Sequence, residues 1–148
     1  MSTYTQIFYH IVFSTKARRP TLSADRREEL LRYIWGIVNN LHCHLYRVNA
    51  VEDHVHIFSS LHPTVCLSDY IKTIKTSTTT WIKEQGVFRD FGCWQEGYGA
   101  FIKSYEDKGD VIAYIKNQQE HHKYESFHEE LKRLLKEAGI EFDEKYLD

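Results

Sequence analysis

The sequence predicts an α+β fold: a ferredoxin-like, split βαβ antiparallel sheet with helices on one face and a C-terminal helix that carries a tyrosine. Strand and helix patterns follow one another in the order β-α-β-β-α-β-α, which is the order of that fold. The strand patterns are short and rich in aromatic and β-branched residues, whereas the helix patterns repeat apolar residues at helical spacing. The 148 residues are a typical length for one domain, so we expect a single domain over residues 1–148.

The first half of the chain contains three strand patterns and one helix pattern. Residues 4–14 read YTQIFYHIVFS, a composition that suits a buried strand. Ser23 can cap the helix that follows, because its hydroxyl can accept a hydrogen bond from a free amide of the first turn. Residues 44–50 and 54–60 then alternate like strands on either side of a short turn, so they predict an antiparallel hairpin.

The second half of the chain is mainly helical. Thr64 or Ser68 can cap a long helix that Gly86 terminates. Three further elements are predicted: a strand over residues 98–104, a helix over about 108–124 and a short amphipathic helix over 129–138. The helix over 108–124 is the only long element left to cover the second face of the sheet, and we expect it there.

Composition excludes a disordered or membrane-spanning chain. Hydrophobic residues make up 42% and charged residues 27%, and no apolar run approaches the length of a membrane span. The first residues lack the core of a signal peptide, so we expect a cytosolic (cytoplasmic) protein. Its three cysteines are an odd number and form no CxxC motif, which argues against a disulfide framework and against a cysteine-based zinc site.

The positive charges are clustered although the net charge is only −2. Residues 1–24 contain three basic residues and no acidic one, and the acidic residues gather near the C-terminus. Clustered cations suit phosphate contacts, but they suit a solvated surface equally well. The candidates for phosphate contacts are Lys16, Arg18, Arg19, Lys72, Lys75 and Lys103.

His54 and His56 are the strongest candidates for a metal site. Residues i and i+2 of a strand point to the same face, so the two imidazoles project side by side, while Val55 and Ile57 face the predicted helices. Two imidazoles at this spacing can chelate one cation. A pair of ordinary strand histidines, one of them hydrogen-bonded, explains the same pattern, and the motif alone leaves both interpretations open.

Tyr114 and Gln118 lie one helical turn apart in the segment VIAYIKNQQEHH and share a helix face. Taken alone, they are a boundary aromatic and a solvated amide. If their helix covers the second sheet face, both side chains are aimed at His54 and His56. Two imidazoles and an amide oxygen leave coordination positions for phosphate oxygens, and a nearby cation would make a phenol, whose pKa is normally about 10, a better nucleophile.

Four segments together form a specific combination that extends over nearly the whole chain: HIVFSTKARRP (10–20), EDHVHIFSSL (52–61), WQEGYGAF (94–101) and VIAYIKNQQEHH (111–122). By these segments the chain resembles the HUH-class, single-tyrosine transposases of the IS200-like group, which are called REP-associated tyrosine transposases when domesticated.

The resemblance implies a role for each matched residue. His54 and His56 fall on two metal ligands, Gln118 on the third, and Tyr114 on the nucleophile, with Mg²⁺ or Mn²⁺ as the metal. The implied activity is cleavage and rejoining of single-stranded DNA through a 5′-phosphotyrosine, which leaves a free 3′-hydroxyl and needs no ATP. The implied partners are single-stranded DNA with hairpin ends and a second copy of the chain, so the basic residues named above become candidates for DNA binding.

Some features lie outside the resemblance. Residues 102–104 replace a small-residue continuation found in many relatives, and the segment beyond His122 matches no family motif. Tyr105 is a fallback nucleophile, but it lacks a glutamine one turn away. On affinity alone imidazoles favour zinc, whereas amide oxygen, water and phosphate favour magnesium or manganese.

Two other functions stay open at this point. One is a non-catalytic, single-stranded nucleic-acid-binding module on the same sheet. The other is a metal-dependent phosphodiesterase that uses water as its nucleophile, which would leave Tyr114 without a role.

Overall fold

The computed structural model describes residues 2–147 and contains a four-stranded antiparallel sheet. The strands are β1 (Phe8–Ser14), β2 (His44–Ala50), β3 (His54–Ser60) and β4 (Gly99–Lys103). They lie in the order β2-β3-β1-β4, and each neighbouring pair is antiparallel. This is the strand order of the split βαβ arrangement, so the predicted fold class is confirmed.

Five helices accompany the sheet in the described residues: α1 (Arg27–Asn40), α2 (Leu67–Gln85), α3 (Lys108–Lys116), α4 (Gln118–His121) and α5 (Phe127–Glu137). Short 3-10 turns cover Lys16–Arg18 and Glu144–Tyr146. The predicted end of α2 is confirmed, because Gly86 adopts the left-handed conformation at φ 60°. None of these helices is both long enough and apolar enough to span a lipid bilayer.

Several predicted boundaries are wrong. The first strand begins at Phe8, and α1 begins after Arg26, so Ser23 lies too far upstream to cap it. Neither predicted cap serves α2, whose N-cap is Cys66 without a side-chain hydrogen bond. The predicted helix over residues 108–124 is divided at Asn117, where the backbone leaves the helical region, and this separates α3 from α4.

The larger core lies between the sheet and the pair α1 and α2. Odd-numbered residues of β1 and β3, such as Ile11, Val55 and Ile57, face these helices and are fully buried. They contact the apolar stripe of α1 and α2, including Ile34 and Ile74. This confirms the prediction that residues 55 and 57 face the helices, and it leaves the histidines of β3 on the second face.

The second sheet face is covered by two helices, and the sequence predicted only one. Val111 and Ile115 of α3 pack on phenylalanines of the sheet, as predicted. The other half of the face is covered by α5, whose buried apolar residues pack against Val12 and include Phe127 and Leu131. Full burial of one large apolar side chain stabilises the folded state by about 1.5–3 kcal/mol, so burial of the apolar residues of α5 holds this helix on the sheet.

Candidate active site

Two histidines of β3 form the floor of the site. His54 and His56 are both fully buried, with ring centroids 5.1 Å apart. The Nδ1 atom of His54 lies 2.7 Å from Oδ1 of Asp53, so Nδ1 donates a hydrogen bond to that carboxylate and Nε2 is the nitrogen left to bind a metal ion. That Nε2 atom is buried and makes no hydrogen bond. A histidine oriented by a carboxylate at one nitrogen and free at the other is typical of a metal ligand.

His10 of β1 extends this arrangement to a third histidine. Its Nε2 lies 2.8 Å from Nδ1 of His56, and the two rings are stacked. Burial lowers the pKa of His56 to about 4, and burial together with His56 lowers the pKa of His10 well below its ordinary value. Both rings are therefore neutral at pH 7, which is the form that binds a metal ion. His10 was not among the residues predicted from the sequence. A signal was present, because even-numbered residues of β1 point to the same sheet face as His56 on the neighbouring strand.

Tyr114 reaches this floor from α3 in the same chain. Its ring centroid lies 6.0 Å from those of both His10 and His56. Its hydroxyl donates a hydrogen bond to Oε2 of Glu130 and accepts one from Nη2 of Arg133 at 2.7 Å. Burial raises the pKa of Tyr114, and the negative charge of Glu130 raises it further. The phenol is therefore protonated at neutral pH in this arrangement.

Gln118 lies at the start of α4 and is fully buried. Its Nε2 donates to Oε2 of Glu130 at 3.2 Å, while its Oε1 makes no hydrogen bond. The structure thus brings all four sequence-predicted site residues to one place, the two histidines from the sheet and Tyr114 and Gln118 from the helices. Tyr105, the fallback nucleophile, lies in the turn before α3 and is 64% exposed.

Asn49 of β2 holds the break between α3 and α4. Its Nδ2 donates to the carbonyl oxygen of Ile115 at 2.8 Å and to Oε1 of Gln119 at 2.9 Å. Gln119 in turn donates to the carbonyl oxygen of Ala50 at 3.0 Å. These contacts satisfy carbonyl groups at the end of α3 and tie that end to the sheet.

Glu130 of α5 occupies the centre of the site and was not among the residues predicted from the sequence. Its Oε1 lies 2.9 Å from Nε2 of His56, 3.1 Å from Nε2 of His122 and 3.3 Å from Nε2 of His54, the last without hydrogen-bond geometry. Burial opposes its ionisation, but hydrogen bonds from the imidazoles outweigh burial and hold its pKa well below the usual range. A carboxylate with no exposed surface is therefore ionised in the interior of the protein, surrounded by imidazole rings.

A signal for Glu130 was present in the sequence. The apolar residues of α5 include Phe127, Leu131 and Leu134, and Glu130 falls within that stripe, three residues after the first and four before the last. A carboxylate on the apolar stripe of a helix is buried when the helix packs, and a buried carboxylate needs a cationic or hydrogen-bonding partner.

The donor atoms of the site fit a divalent cation. Nitrogen or oxygen atoms of His54, His56, His122 and Glu130 all lie within 4.8 Å of one another. In addition, the buried Nε2 of His54 and the buried Oε1 of Gln118 have no hydrogen-bond partner. Buried polar atoms are seldom left unsatisfied, because each one costs about 1–3 kcal/mol. A cation would satisfy both atoms and would neutralise the buried carboxylate.

An open cavity of about 330 Å³ gives access to Tyr114. Its lining includes His10 and the cations Lys103 and Arg133, together with the carboxylates of Asp107, Asp110 and Glu137. A phosphate group entering this cavity would meet Lys103 and Arg133 close to the phenol.

The candidate DNA-contacting residues are dispersed. Lys103 lines the cavity beside Tyr114, and Arg18 lines a second one with Asp53 and α5 residues. Lys16 and Arg19 are exposed near the first 3-10 turn, and Lys72 is exposed on α2, on the helix layer away from the site. Lys75 donates to the carbonyl oxygens of Gln95 and Gly97, and burial lowers its pKa to about 8. DNA binding by these six residues stays a prediction.

Comparison with known proteins identifies the family of this chain and similar folds. A family model described as "Transposase IS200 like" matches residues 3–118. A candidate transposase from Deinococcus radiodurans R1 is 20% identical, with a TM-score of 0.62 over 80% of this chain and 95% of that one. A REP-associated tyrosine transposase bound to a REP hairpin is 17% identical, with a TM-score of 0.58 over 82% of this chain and 74% of that one. No curated protein sequence matched.

Proposed function

Because this chain belongs to the IS200-like transposase family, we propose that it cleaves and rejoins single-stranded DNA with Tyr114 as the nucleophile. The observation that carries the proposal is the position of the Tyr114 phenol, which shares the carboxylate of Glu130 with two buried imidazoles of the same chain. A domain that only binds nucleic acid needs no such buried polar cluster. A phosphodiesterase that uses water would leave the hydrogen-bonded phenol unexplained.

We propose that His54, His56 and Gln118 hold Mg²⁺ or Mn²⁺. The bound cation would polarise the scissile phosphodiester and offset the negative charge that develops on its oxygens. The two imidazoles suit this role, because Nε2 of His54 has no hydrogen-bond partner and Asp53 and His10 orient the two rings from behind.

The side chains around Tyr114 prepare it for attack on phosphorus. Its oxygen forms the new bond to phosphorus while the bond from phosphorus to the 3′ oxygen breaks, which yields a 5′-phosphotyrosine and a free 3′-hydroxyl. Oε2 of Glu130 already accepts the phenolic hydrogen bond and is placed to take the proton. Arg133 donates to the same phenol oxygen and stabilises the negative charge that develops there. Attack by a 3′-hydroxyl on the phosphotyrosine reverses the step without ATP.

We propose single-stranded DNA with a hairpin as the substrate, on the model of the relative that is bound to a REP hairpin. We also propose a homodimer, as the sequence resemblance implied. Tyr114 lies at its own chain's histidines, so we propose that each chain in the dimer cuts with its own tyrosine.

The proposal is tested by formation of a covalent adduct. The purified protein is incubated with Mn²⁺ and labelled single-stranded oligonucleotides that carry hairpins from the DNA flanking its coding sequence. A labelled band at the mass of protein plus DNA is expected on a denaturing gel. The adduct should disappear in Tyr114→Phe and persist in the matched control Tyr105→Phe.

Each alternative predicts a different gel. Cleavage that survives Tyr114→Phe would support the phosphodiesterase, and hairpin binding without any cleavage by the wild type would support the binding module. Loss of the adduct in Tyr105→Phe with retention in Tyr114→Phe would assign the nucleophile to the other tyrosine.

A further inference from the structure

The metal site contains two donors that lie beyond the residues matched by the family model. His122 follows α4 and Glu130 lies on α5, whereas the match ends at residue 118. We propose that Oε1 of Glu130 and Nε2 of His122 are metal ligands beside His54 and His56, so that this chain binds a first-row transition-metal ion in preference to Mg²⁺. The inference rests on the proposed metal site but does not depend on DNA cleavage.

The geometry around Glu130 supports a shared ion. Three imidazole Nε2 atoms, from His54, His56 and His122, face the single oxygen Oε1 at 2.9–3.3 Å. Only two of these contacts have hydrogen-bond geometry, which leaves the Nε2 of His54 buried without a partner. All four donor atoms could coordinate one cation placed among them, whereas hydrogen bonds satisfy only three of the four. The side chain of His122 is only 8% exposed, so these donors form an enclosed set.

The two oxygens of Glu130 have different surroundings. Oε1 faces the imidazoles, while Oε2 receives hydrogen bonds from Tyr114 and Gln118. With Oε1 on the ion, Oε2 remains available to the phenol. One carboxylate would therefore connect the metal ion to the nucleophile, and α5 would become part of the metal site.

The chemistry of the donors determines which ion is preferred. Three imidazoles and one carboxylate suit Mn²⁺, Co²⁺ or Zn²⁺, which accept nitrogen ligands readily. Mg²⁺ favours oxygen ligands and keeps several of its waters, and an enclosed set with three nitrogen donors offers it little. The ligands implied by the family, two imidazoles and one amide oxygen, would discriminate against Mg²⁺ less strongly.

A neighbouring cluster does not have the same need for a cation. His121, Glu125 and Glu130 also lie close together. However, His121 and Glu125 are hydrogen-bonded to each other, and Arg133 donates to both oxygens of Glu125. The guanidinium of Arg133 already supplies a positive charge to that cluster. We therefore place the metal ion with His54, His56 and His122.

The proposal is tested by metal binding in the absence of DNA. The chelator-treated protein is titrated with Mn²⁺, Co²⁺ and Mg²⁺ by calorimetry, and the visible spectrum of the Co²⁺ form reports its ligands. We compare the wild type with Glu130→Gln and His122→Gln. Glu120→Gln is the matched control, because Glu120 is an exposed carboxylate on α4 that pairs with Lys123, away from the metal site.

We expect the wild type to bind Mn²⁺ and Co²⁺ at least about 100-fold more tightly than Mg²⁺. Glu130→Gln should weaken Mn²⁺ binding by about 100-fold and change the Co²⁺ spectrum, and His122→Gln should do the same to a smaller extent. Glu120→Gln should behave like the wild type. Hydrogen exchange of α5 should slow when Mn²⁺ is added to the wild type, which tests the contact without any substitution.

Three results would overturn the inference. Equal Mn²⁺ affinity in Glu130→Gln and wild type, with an unchanged Co²⁺ spectrum, would exclude Glu130 as a ligand. Tighter binding in Glu130→Gln would show that the carboxylate competes with the ion. If Glu130→Gln fails to fold, the wild type gives the third test: hydrogen exchange of α5 that does not slow on addition of Mn²⁺ would exclude Glu130 as a ligand. His56→Ala tests the proposed metal site separately. If His56→Ala loses Mn²⁺ binding, the proposed metal site stands even where one of these three results excludes Glu130. If His56→Ala still binds Mn²⁺ like the wild type, the proposed metal site is excluded as well.

Discussion

The site has a sheet half and a helix half that are held in different ways. His10, His54 and His56 sit on the paired strands β1 and β3, where backbone hydrogen bonds fix the register of each residue. Tyr114 and Glu130 sit on the short helices α3 and α5, which lie on the sheet through side-chain packing and, at one end of α3, through the hydrogen bonds of Asn49. The sheet half is therefore rigid on its own, whereas the helix half takes up its position only when α3 and α5 are docked.

The difference separates binding of the ion from attack by the nucleophile. A pair of imidazoles held in this way can define the position of an ion before any substrate arrives, because strand register fixes their backbone positions and full burial restricts their rings. The phenol approaches from α3, whose position depends on packing and on the Asn49 hydrogen bonds, and the carboxylate approaches from α5, whose position depends on packing and on a helix cap. Substitutions of the imidazoles should therefore change ion binding and substitutions around the phenol should change the rate of attack, whereas Glu130, which contacts both, should change the two together.

The largest expected effect is from the sheet half, in His56→Ala. We expect the rate of DNA cleavage to fall by about 1000-fold or more, because the ion that stabilises the developing charge is lost. Binding of hairpin DNA, measured by fluorescence anisotropy, should be unchanged. His44→Ala, at an exposed histidine of β2, is the control and should cleave normally. A His56→Ala protein that still cleaves would remove the sheet half from the chemistry.

A second effect concerns the stability of the sheet half at acidic pH in the metal-free protein. Folded His56 has a pKa of about 4, while an unfolded histidine titrates near 6.5. Between these two pH values the unfolded state binds more protons, so the free energy of unfolding falls as the pH decreases, by about 3 kcal/mol for this residue. His54 acts in the opposite sense, because Asp53 and Glu130 overcome its burial and raise its pKa.

Urea unfolding in the presence of a chelator, at pH values from 4 to 7, measures this dependence. His56→Gln should show a shallower decrease in stability than the wild type over that interval. Parallel curves for the two proteins would mean that His56 does not remain neutral in the folded state.

A third effect tests the helix half through Arg133→Gln. Arg133 donates to the phenol oxygen of Tyr114, and a hydrogen bond to a developing charge contributes about 1.5–3 kcal/mol. We expect adduct formation to slow by about 10-fold to 100-fold while Mn²⁺ affinity stays constant. Lys132→Gln, at a neighbouring residue of α5 that pairs with Glu144, is the control. A loss of metal affinity as large as the loss of rate would show that Arg133 does not act on the phenol alone.

The smallest effect comes from the cap that begins α5. The hydroxyl of Ser126 accepts from the amide of Glu129, and the Glu129 carboxylate accepts from the amide of Ser126. Ser126→Ala should lower the free energy of unfolding by about 1 kcal/mol and speed hydrogen exchange in α5. Ser68→Ala is the control, since Ser68 does not cap α2. Equal destabilisation by both substitutions would argue against a specific role for this cap.

The same division explains what could be predicted from the sequence. The positions of His54 and His56 follow from the two-residue period of a strand, so their shared face was predicted and is observed. Tyr114 and Gln118 were placed together by helical spacing and by the family resemblance, although the helix is divided at Asn117. Glu130 could not be placed, because an amphipathic pattern specifies the buried side of α5 but not the surface it packs against.

Asn49 ties the C-terminal end of α3 to β2 through the carbonyl oxygen of Ile115. Tyr114 precedes Ile115 by a single residue, about 1.5 Å along the helix axis. Because Tyr114 is so close to the anchored end, rotation of α3 about that end would displace the phenol very little and would keep it near the histidines. A DNA strand attached to the phenol would stay at the site of the chain that cut it. Movement of that tyrosine to the site of a second chain would first require the hydrogen bonds of Asn49 to break.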